Sequence, residues 1–534
     1  MSRASLRVTL ILPLLAACAA CADADAGRPA EPTFSGGVAQ VIHRSCAGCH
    51  HPGGAGPFAL LTYEQVREHA ERIARVTQAR VMPPWPPSRP VGVFIDERRL
   101  ADDEIALIQR WVEDGAPLGD RELVPSPPTF SDEWSLGAPD LVVEMDESYL
   151  VPADADEIFR NFVLPVPTDT PHWIRAVDLR PGGPHVVHHA TLAVDRTPAS
   201  QALDRRDPGP GFDGMGLAGG ADHPGGVFIG WTPGKSVVEG PSDLSWALEP
   251  GSDLVARLHL RPIDEPVEVR ARVGLYYGDG PPERRPVTVH LGTQAIDIPA
   301  GEPSYEVRDS LTLPAGVDVL SVYPHAHYLG KTVQAWAETS DGARTWLVEI
   351  PDWDFNWQDE YRFREPVRLP AGSTLHMRYT YDNTAANPRN PSDPPVRVTY
   401  GPRSVDEMAD LVVQTVPATA AGSAALAQAA DLKAADIKLE GYRQALAEGR
   451  EDATLRYNMG IAEASRGRLA EAESHLRRAT ALDSEFAEAF INLGIVLHRQ
   501  GRVPDALTAY LRAAELAPDE PRGPHNAAVA LEEL

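Results

Sequence analysis

Five histidines and one methionine form the most informative set of side chains in this sequence. They are His188, His189, His259, His325, His327 and Met408. Imidazole nitrogen binds copper in both oxidation states, whereas thioether sulfur is soft and favours Cu(I). Three ligands for each of two ions would leave both with an open position, which a structural site does not keep. The set therefore predicts two redox-active copper ions.

The first three histidines lie in segments with the composition of β-strands. Residues 184–195 are branched and apolar and contain His188 and His189. Neighbouring residues of a regular strand point to opposite faces, so both can reach one metal only where the strand ends, bulges or twists. A second predicted strand, at residues 253–262, carries His259 near its end.

The other two histidines and the methionine lie in two further segments. His325 and His327 are two residues apart in HAHYLGK, so on a strand both side chains would face the same way. Met408 ends the segment SVDEM, just before an apolar run. Four segments together resemble the copper type II, ascorbate-dependent monooxygenases: the histidine pair, the single histidine, the H-x-H segment and the S-x-DEM segment. That family includes peptidylglycine alpha-hydroxylating monooxygenase and dopamine beta-monooxygenase, and the resemblance covers roughly residues 130–417.

The resemblance implies both a fold and a division of labour between two coppers. It implies two jelly-roll-like β-sandwich domains, at residues 126–286 and 287–417. One copper would transfer electrons, the other would activate dioxygen, and ascorbate is the usual reductant. By this resemblance the first copper is bound by His188, His189 and His259, and the catalytic copper by His325, His327 and Met408.

Some positions depart from the family's pattern. Peptidylglycine enzymes have an arginine two residues before the H-x-H pair, where this chain has Tyr323, and a tyrosine four residues after the methionine, where it has Val412. A less charged substrate is therefore expected. His185, three residues before the histidine pair, is a competing ligand. The remaining histidines of this region fit no motif: His172, His223, His290 and His376.

The N-terminus predicts export. A basic start precedes an apolar stretch at residues 8–17, which is too short to span a bilayer. The sequence LAAC, ending at Cys18, is similar to a bacterial lipobox and predicts removal of residues 1–17. Lipidated Cys18 would then anchor the protein to a membrane in the periplasm or cell envelope. An ordinary cleavage site at residues 21–26 is the alternative, and residues 18–35 would form a linker.

A C-x-x-C-H motif follows the linker. Cys46, Cys49 and His50 match the attachment signal of haem c, with two thioether bonds to the haem and an imidazole ligand to its iron. Zinc or a redox pair is the alternative, but export favours haem, because covalent attachment takes place outside the cytoplasm. The chain has no cysteine after Cys49, so the predicted copper domains are free of disulfides.

The predicted second iron ligand is Met82, in the proline-rich segment ARVMPPWPP. A Met/His pair raises the potential of a haem and suits electron transfer. An amphipathic helix, predicted in the segment 101–120 and ending at Gly115, completes a stretch, residues 36–125, that resembles a small all-α c-type cytochrome. His43 and His51 are competing iron ligands.

The C-terminal region repeats itself. Asn458, Asn492 and Asn526 are spaced 34 residues apart, and small residues share this period. That period is typical of α-helical tetratricopeptide repeats. Residues 418–430 would be a linker or a helix lead-in, and residues 431–534 the repeats. Such repeats form a groove that usually binds a partner protein; the alternative is that they only cover an exposed face.

Composition limits the possible functions. A chain of 534 residues contains several domains. The formal net charge of −27 argues against nucleic-acid binding, which needs a basic surface. We therefore expect an exported copper-dependent monooxygenase that hydroxylates a C–H bond with dioxygen and receives electrons through the haem c domain. The alternative is a non-catalytic periplasmic protein that carries electrons or copper, or that serves as a partner-binding scaffold.

Overall fold

The computed structural model describes residues 32–88, 93–130, 134–153, 155–183, 185–215, 218–224, 228, 230–235, 237, 239–240, 244–282, 284–518 and 520–534. The predicted export signal, with Cys18, lies outside these residues. The described residues form a multidomain chain: a helical N-terminal unit, two units built from β-sheets, and a C-terminal helical repeat region. No helix among the described residues has the length and apolar character needed to cross a membrane.

The helical N-terminal unit (residues 32–124) packs short helices around one apolar cluster that includes Phe34 and Trp111, both fully buried. A capping box at Thr62 starts one helix, and Gly115, with φ of +84°, follows the end of another. The helices are a π-helical turn at Phe34–Val38, α1 Ala39–Ser45, α2 Tyr63–Glu68, α3 Ala70–Gln78, α4 Asp102–Glu113 and a 3-10 turn at Arg121–Leu123.

The first two-sheet unit (residues 134–282) contains a four-stranded sheet, β1-β11-β4-β8, and a five-stranded sheet, β6-β3-β9-β5-β7, which share one apolar cluster. A separate pair joins β10 to β2. The elements are β1 Leu141–Glu144, β2 Tyr149–Val151, β3 Ile158–Pro165, β4 His172–Arg180, β5 Val187–Asp195, α5 Ala199–Asp204, β6 Phe212–Asp213, β7 Ala221–Asp222, β8 Trp246–Leu248, β9 Asp253–Leu260, β10 Val267–Val269 and β11 Arg272–Tyr277.

The second two-sheet unit (residues 287–417) pairs sheet β12-β21-β15-β18 with sheet β14-β19-β16-β17 over a second apolar cluster. Burial alternates along β19, as expected of a strand with one face in the core. The strands are β12 Val287–Gly292, β13 Asp297–Ile298, β14 Tyr305–Thr312, β15 Val317–Ala326, β16 Gly330–Glu338, β17 Arg344–Ile350, β18 Tyr361–Leu369, β19 Thr374–Tyr381, β20 Val398–Thr399 and β21 Ala409–Pro417.

The N-terminal unit is attached to the second two-sheet unit by strand-like pairing. Phe94 pairs with Phe363 of β18 and is buried in the core of that unit. The N–H of Ile95 donates to Arg362 O at 2.8 Å, and the N–H of Arg364 donates to Val93 O at 2.9 Å. These contacts bring the loop after α3 close to the histidine-bearing strands.

The C-terminal region begins with a 28-residue helix, α6 Ala420–Ala447, so most of residues 418–430 are helical and continuous with the repeats. α6 packs against β12 and β21, and Gln444 Nε2 donates to Ile296 O at 3.1 Å. The helices that follow form antiparallel pairs: α7 Ala453–Ser465, α8 Leu469–Leu482, α9 Ala487–Arg499, α10 Val503–Leu516 and α11 Arg522–Glu533.

Candidate functional site

Three histidine rings converge at one end of the five-stranded sheet. His188 and His189 lie on β5 and His259 lies on the neighbouring strand β9. The register between these strands shifts by one residue between Val187 and His189, so β5 bulges where the histidine pair requires it. We call these three residues the histidine triad; one ring nitrogen from each lies within 4.8 Å of the other two.

The facing atoms of the triad are Nδ1 nitrogens. His188 Nδ1 lies 3.2 Å from His189 Nδ1 and 3.3 Å from His259 Nδ1. Burial, followed by the charge of His259, lowers the pKa of His188 to about 3, and burial also holds the pKa of His189 well below its usual value. Both rings are therefore neutral near pH 7 and carry lone pairs, which is the state that binds metal. His259 Nε2 is buried and lies 3.6 Å from Glu157 Oε2.

A second cluster lies at the end of β15. His325 is opposite Asp410 of β21 and Ala326 is opposite Ala409, so continuing the register sets His327 opposite Met408. Residues opposite each other, and residues two apart, share a face of the sheet, so both imidazoles and the thioether lie on one face. The rings of His325 and His327 are 5.1 Å apart, and Met408 is buried.

Hydrogen bonds hold both rings of this second cluster in one orientation. His325 Nδ1 donates to Gln358 Oε1, and His327 Nδ1 donates to Asp406 O at 3.0 Å. These bonds leave the Nε2 atoms as the free lone pairs. Burial, followed by the charge of His325, lowers the pKa of His327 to about 3. No motif in the sequence marks Gln358, and its role emerges only from this contact.

Glu407 fixes the ends of the two strands that carry the second cluster. Its carboxylate accepts the backbone N–H of His327 at 2.9 Å, of Leu329 at 2.7 Å and of Met408 at 3.1 Å. Burial raises the pKa of Glu407 to about 8. These donors belong to two chain segments. One side chain therefore fixes the backbone positions from which the imidazole of His327 and the thioether of Met408 extend.

The two clusters are neighbours. The ring centroids of His189 and His325 are 6.4 Å apart. Phe355 packs against both sides, with its ring centroid 4.9 Å from that of His188 and 5.4 Å from that of His327. The resemblance implies that an electron passes from one copper site to the other across a gap between the two domains. In this structure the histidine rings of the two clusters lie close together.

The other histidines have separate surroundings. His185 is exposed and does not belong to the triad. His290 Nε2 lies 2.7 Å from Asp410 Oδ1, and His223 Nδ1 donates to Leu192 O at 3.0 Å. His376 stacks on Trp336 and His172 stacks on Tyr277.

The C-x-x-C-H motif lies directly after α1. Cys46 and Cys49 are free thiols, and burial, followed by the charge of Cys49, raises the pKa of Cys46 to about 12. His50 Nδ1 donates to Phe58 O at 3.0 Å, which leaves Nε2 available to a metal. The competing ligand His51 stacks on Phe130 with ring centroids 3.8 Å apart.

Met82 and the C-x-x-C-H motif line different cavities. Met82 lies with Trp85 on the wall of a cavity of about 880 Å³. A second cavity, of about 710 Å³, is lined by Gly48 of the motif, by His51, which follows the motif, and by residues of the segment 230–235 in the first two-sheet unit. The structure therefore does not bring Met82 and the C-x-x-C-H motif to one common cavity.

The 34-residue period has a clear packing role. A Cβ on Gly460 would lie 2.6 Å from Leu476, and one on Gly494 would lie 2.4 Å from Tyr510. Each glycine, at the same place in its repeat, lets the two helices of a pair approach closely. Asn492 Nδ2 also donates to Tyr457 Oη at 3.2 Å, linking successive repeats.

The comparisons with known proteins concern this C-terminal region. A family model described as tetratricopeptide repeat matches residues 439–484 and 457–521. No curated protein sequence matches the chain. Among solved structures, the Arabidopsis OM64 TPR domain is 18% identical, covering 19% of this chain and 84% of that chain with a TM-score of 0.19. The second TPR domain of human RPAP3, solved with an HSP70 peptide, is 23% identical. The match covers 18% of this chain and 80% of that chain, with a TM-score of 0.17. YrrB, a TPR protein with an unusual peptide-binding site, is 23% identical. The match covers 21% of this chain and 60% of that chain, with a TM-score of 0.18. The C-terminal region of this chain consists of tetratricopeptide repeats.

Proposed function

We propose that this protein is an exported, lipid-anchored copper-dependent monooxygenase that hydroxylates a C–H bond of an organic substrate with dioxygen. The observation that carries the proposal is the convergence of three imidazoles beside a second group of two imidazoles and a thioether, with the ring centroids of His189 and His325 only 6.4 Å apart. Two β-sandwich copper domains, joined to an N-terminal c-type cytochrome domain, would provide the framework.

The donor atoms fit copper. His188 Nδ1 lies 3.2 Å from His189 Nδ1 and 3.3 Å from His259 Nδ1, and lone pairs at such distances repel unless a proton or a cation lies between them. Imidazole suits copper in both states, so the triad would hold the electron-transfer copper. His325, His327 and Met408 add a soft sulfur to two imidazoles, which favours Cu(I), the state that binds dioxygen.

Copper, when bound, would activate dioxygen so that one oxygen atom enters the C–H bond and the other leaves as water. The residues of the chain prepare the site for this chemistry. Gln358 and Asp406 hold the two imidazoles with Nε2 facing inward. Phe355 covers the space between the clusters and excludes water. Tyr323, which stands where peptidylglycine enzymes have a carboxylate-binding arginine, would favour a less charged substrate.

Electrons would arrive through haem c bound by Cys46, Cys49 and His50. The free thiols and the unused Nε2 of His50 fit this group. Met82 would be the second iron ligand and would raise the potential. The proximity of the N-terminal unit to the histidine-bearing strands supports transfer within one chain.

The repeats would bind a protein partner. Tetratricopeptide repeats commonly do so through the groove between their helix pairs. The attachment of α6 to β12 and β21 would keep such a partner next to the oxygenase domains.

The first test is the copper and haem content of the mature, copper-reconstituted protein, followed by oxygen uptake after reduction. We expect two coppers and one covalent haem per chain, and uptake that is lost in His325→Ala. His376→Ala is the matched control, because His376 lies in the same unit but stacks on Trp336. Zero or one copper would refute the six-ligand assignment. Robust hydroxylation of glycine-extended peptides would refute the expected substrate class.

A non-catalytic electron carrier is the second candidate, and one observation favours it. The cavity that His188 and His189 share with Trp85 measures only about 50 Å³, whereas cavities for small organic ligands measure roughly 300–1,000 Å³. A protein that binds two coppers and cycles them reversibly, but reduces no dioxygen after ascorbate or haem reduction, would support this function.

A further inference from the structure

One short loop of the first two-sheet unit, residues 230–235, touches the haem-attachment motif. Gly234 has φ of +76°, and a Cβ built on it would lie 2.5 Å from Cys49 Sγ. No side chain fits at such a distance, so glycine is what allows the backbone to approach the sulfur. The loop therefore meets the sulfur at which haem would be attached.

The other end of the loop meets the histidine triad. The N–H of Ala190 donates to Trp231 O at 2.9 Å, and the N–H of Trp231 donates to Ala190 O at 2.8 Å. Ala190 follows His189 directly on β5. Pro233 lines the 50 Å³ cavity with His188 and His189, and also the 710 Å³ cavity with His51. The loop is thus the wall between the two sites.

Charged side chains from the other two units hold this loop in place. Arg98 of the N-terminal unit donates to Asp359 at 3.1 Å and to Gly234 O at 3.4 Å. Lys235 donates at 2.7 Å both to Gly230 O and to Glu360 Oε2. The side chains of Lys235 and Glu360 are 15% and 2% exposed, and a buried pair of this kind is costly to break. Three units of the chain therefore meet at residues 230–235.

We propose that residues 230–235 dock the haem-attachment motif against the histidine triad and form the route for one electron from haem to copper. This inference rests on the proposed function. A haem attached through Cys46 and Cys49 would give up one electron as its iron passes from Fe(II) to Fe(III), and copper held by the triad would accept it in passing from Cu(II) to Cu(I), with no change of bond or proton. The path runs from Cys49 Sγ to Gly234, along the loop to Trp231, and through one hydrogen bond to Ala190 and His189. Gly234 and Arg98 are positioning residues.

The test compares two glycine substitutions in the full chain loaded with haem and copper. Gly234→Ala places a methyl group against Cys49 Sγ. Gly251→Ala is the matched control, because Gly251 has φ of +77° and no atom within 4 Å of a built Cβ. Both variants carry the same backbone strain, but only one disturbs the docking. Arg98→Gln is the second variant, and it removes the ion pair with Asp359 and the hydrogen bond to Gly234 O without changing any residue of the loop.

The measurement is the rate at which flash-reduced haem returns to the ferric state in the absence of dioxygen. This rate is monitored by haem absorbance and by the loss of the cupric resonance signal. Wild type and Gly251→Ala are expected to reoxidise the haem in one rapid phase. Gly234→Ala and Arg98→Gln are expected to lose most of that phase. Equal rates in all four proteins would overturn the docking route and leave the oxygenase proposal intact.

A cofactor-free readout separates the two proposals. If metal analysis finds no copper or haem, the proposed function fails, and the route fails with it. Docking itself is then tested by alkylation of Cys49 in the haem-free full chain. We expect Gly234→Ala to increase the alkylation of Cys49 relative to both wild type and Gly251→Ala. Unchanged alkylation would overturn the docking contact.

Discussion

Replacing Met408 by isoleucine should separate the two copper sites. Met408 is 6% exposed, and its backbone contacts involve only its N–H, which donates to Glu407, and its carbonyl, which accepts from Tyr381 Oη at 2.7 Å. A swap to isoleucine conserves volume and keeps both hydrogen bonds. Such substitutions cost less than about 1.5 kcal/mol of folding free energy. The fold should therefore survive.

The loss of copper binding should be larger than the loss of stability. Removing residues that merely orient a ligand lowers metal affinity by about 10–100-fold, so removing the ligand itself should cost at least about 100-fold. A hundredfold loss corresponds to about 2.8 kcal/mol, since each tenfold step is about 1.4 kcal/mol. This exceeds the cost to folding, so the effect cannot be explained by partial unfolding.

The assay is copper content after dialysis under reducing conditions, together with denaturant unfolding. Met377→Ile is the control, because Met377 is 1% exposed in the core of the same unit but lies on β19, in the other sheet. We expect Met408→Ile to keep the triad copper and to lose the second copper and oxygen uptake, while Met377→Ile keeps both. A Met408→Ile protein that retains two Cu(I) ions and wild-type oxygen uptake would refute the ligand assignment.

Three further predictions concern pH, the repeats and the haem. The pKa of His188 is lowered to about 3 in the folded chain, against 6.5 for an unperturbed histidine, so the unfolded chain binds more protons as the pH falls below 6.5. In the copper-free protein, this residue should therefore lower the free energy of unfolding by about 1 kcal/mol for each unit by which the pH falls between pH 6.5 and 3. An unfolding midpoint that does not move with pH would contradict this. Lys433→Met removes the partner of Asp309 beneath α6, where both side chains are largely buried, and should cost roughly 1.5–3 kcal/mol. Lys331→Met breaks the exposed ion pair with Asp352 and should lower the free energy of unfolding by less than about 1 kcal/mol in the same experiment. Equal losses in the two variants would show that the Lys433–Asp309 pair stabilises the fold no more than an exposed pair does. Met82→Ala should keep covalent haem but lower its potential in a redox titration, and an unchanged potential would exclude Met82 as an iron ligand.

Much of the candidate site could be predicted because its chemistry is local in sequence. The C-x-x-C-H motif, the adjacent histidines and the H-x-H pair each place their reactive atoms within a few residues. The 34-residue period is equally local, because each helix pair packs mainly against its neighbours. The amphipathic helix predicted before Gly115 is α4, Asp102–Glu113, for the same reason.

The sequence by itself therefore determined which side chains with donor atoms are available, and it determined the repeat architecture. Only the tertiary structure decided which atoms face one another. His188 and His259 are 71 residues apart, and their Nδ1 atoms meet because β5 pairs with β9 through a bulge of one residue. The 6.4 Å separation of His189 from His325 and the contact of Gly234 with Cys49 depend on how whole units dock. Such contacts arise from the packing of distant surfaces, and no local pattern of residue types encodes them.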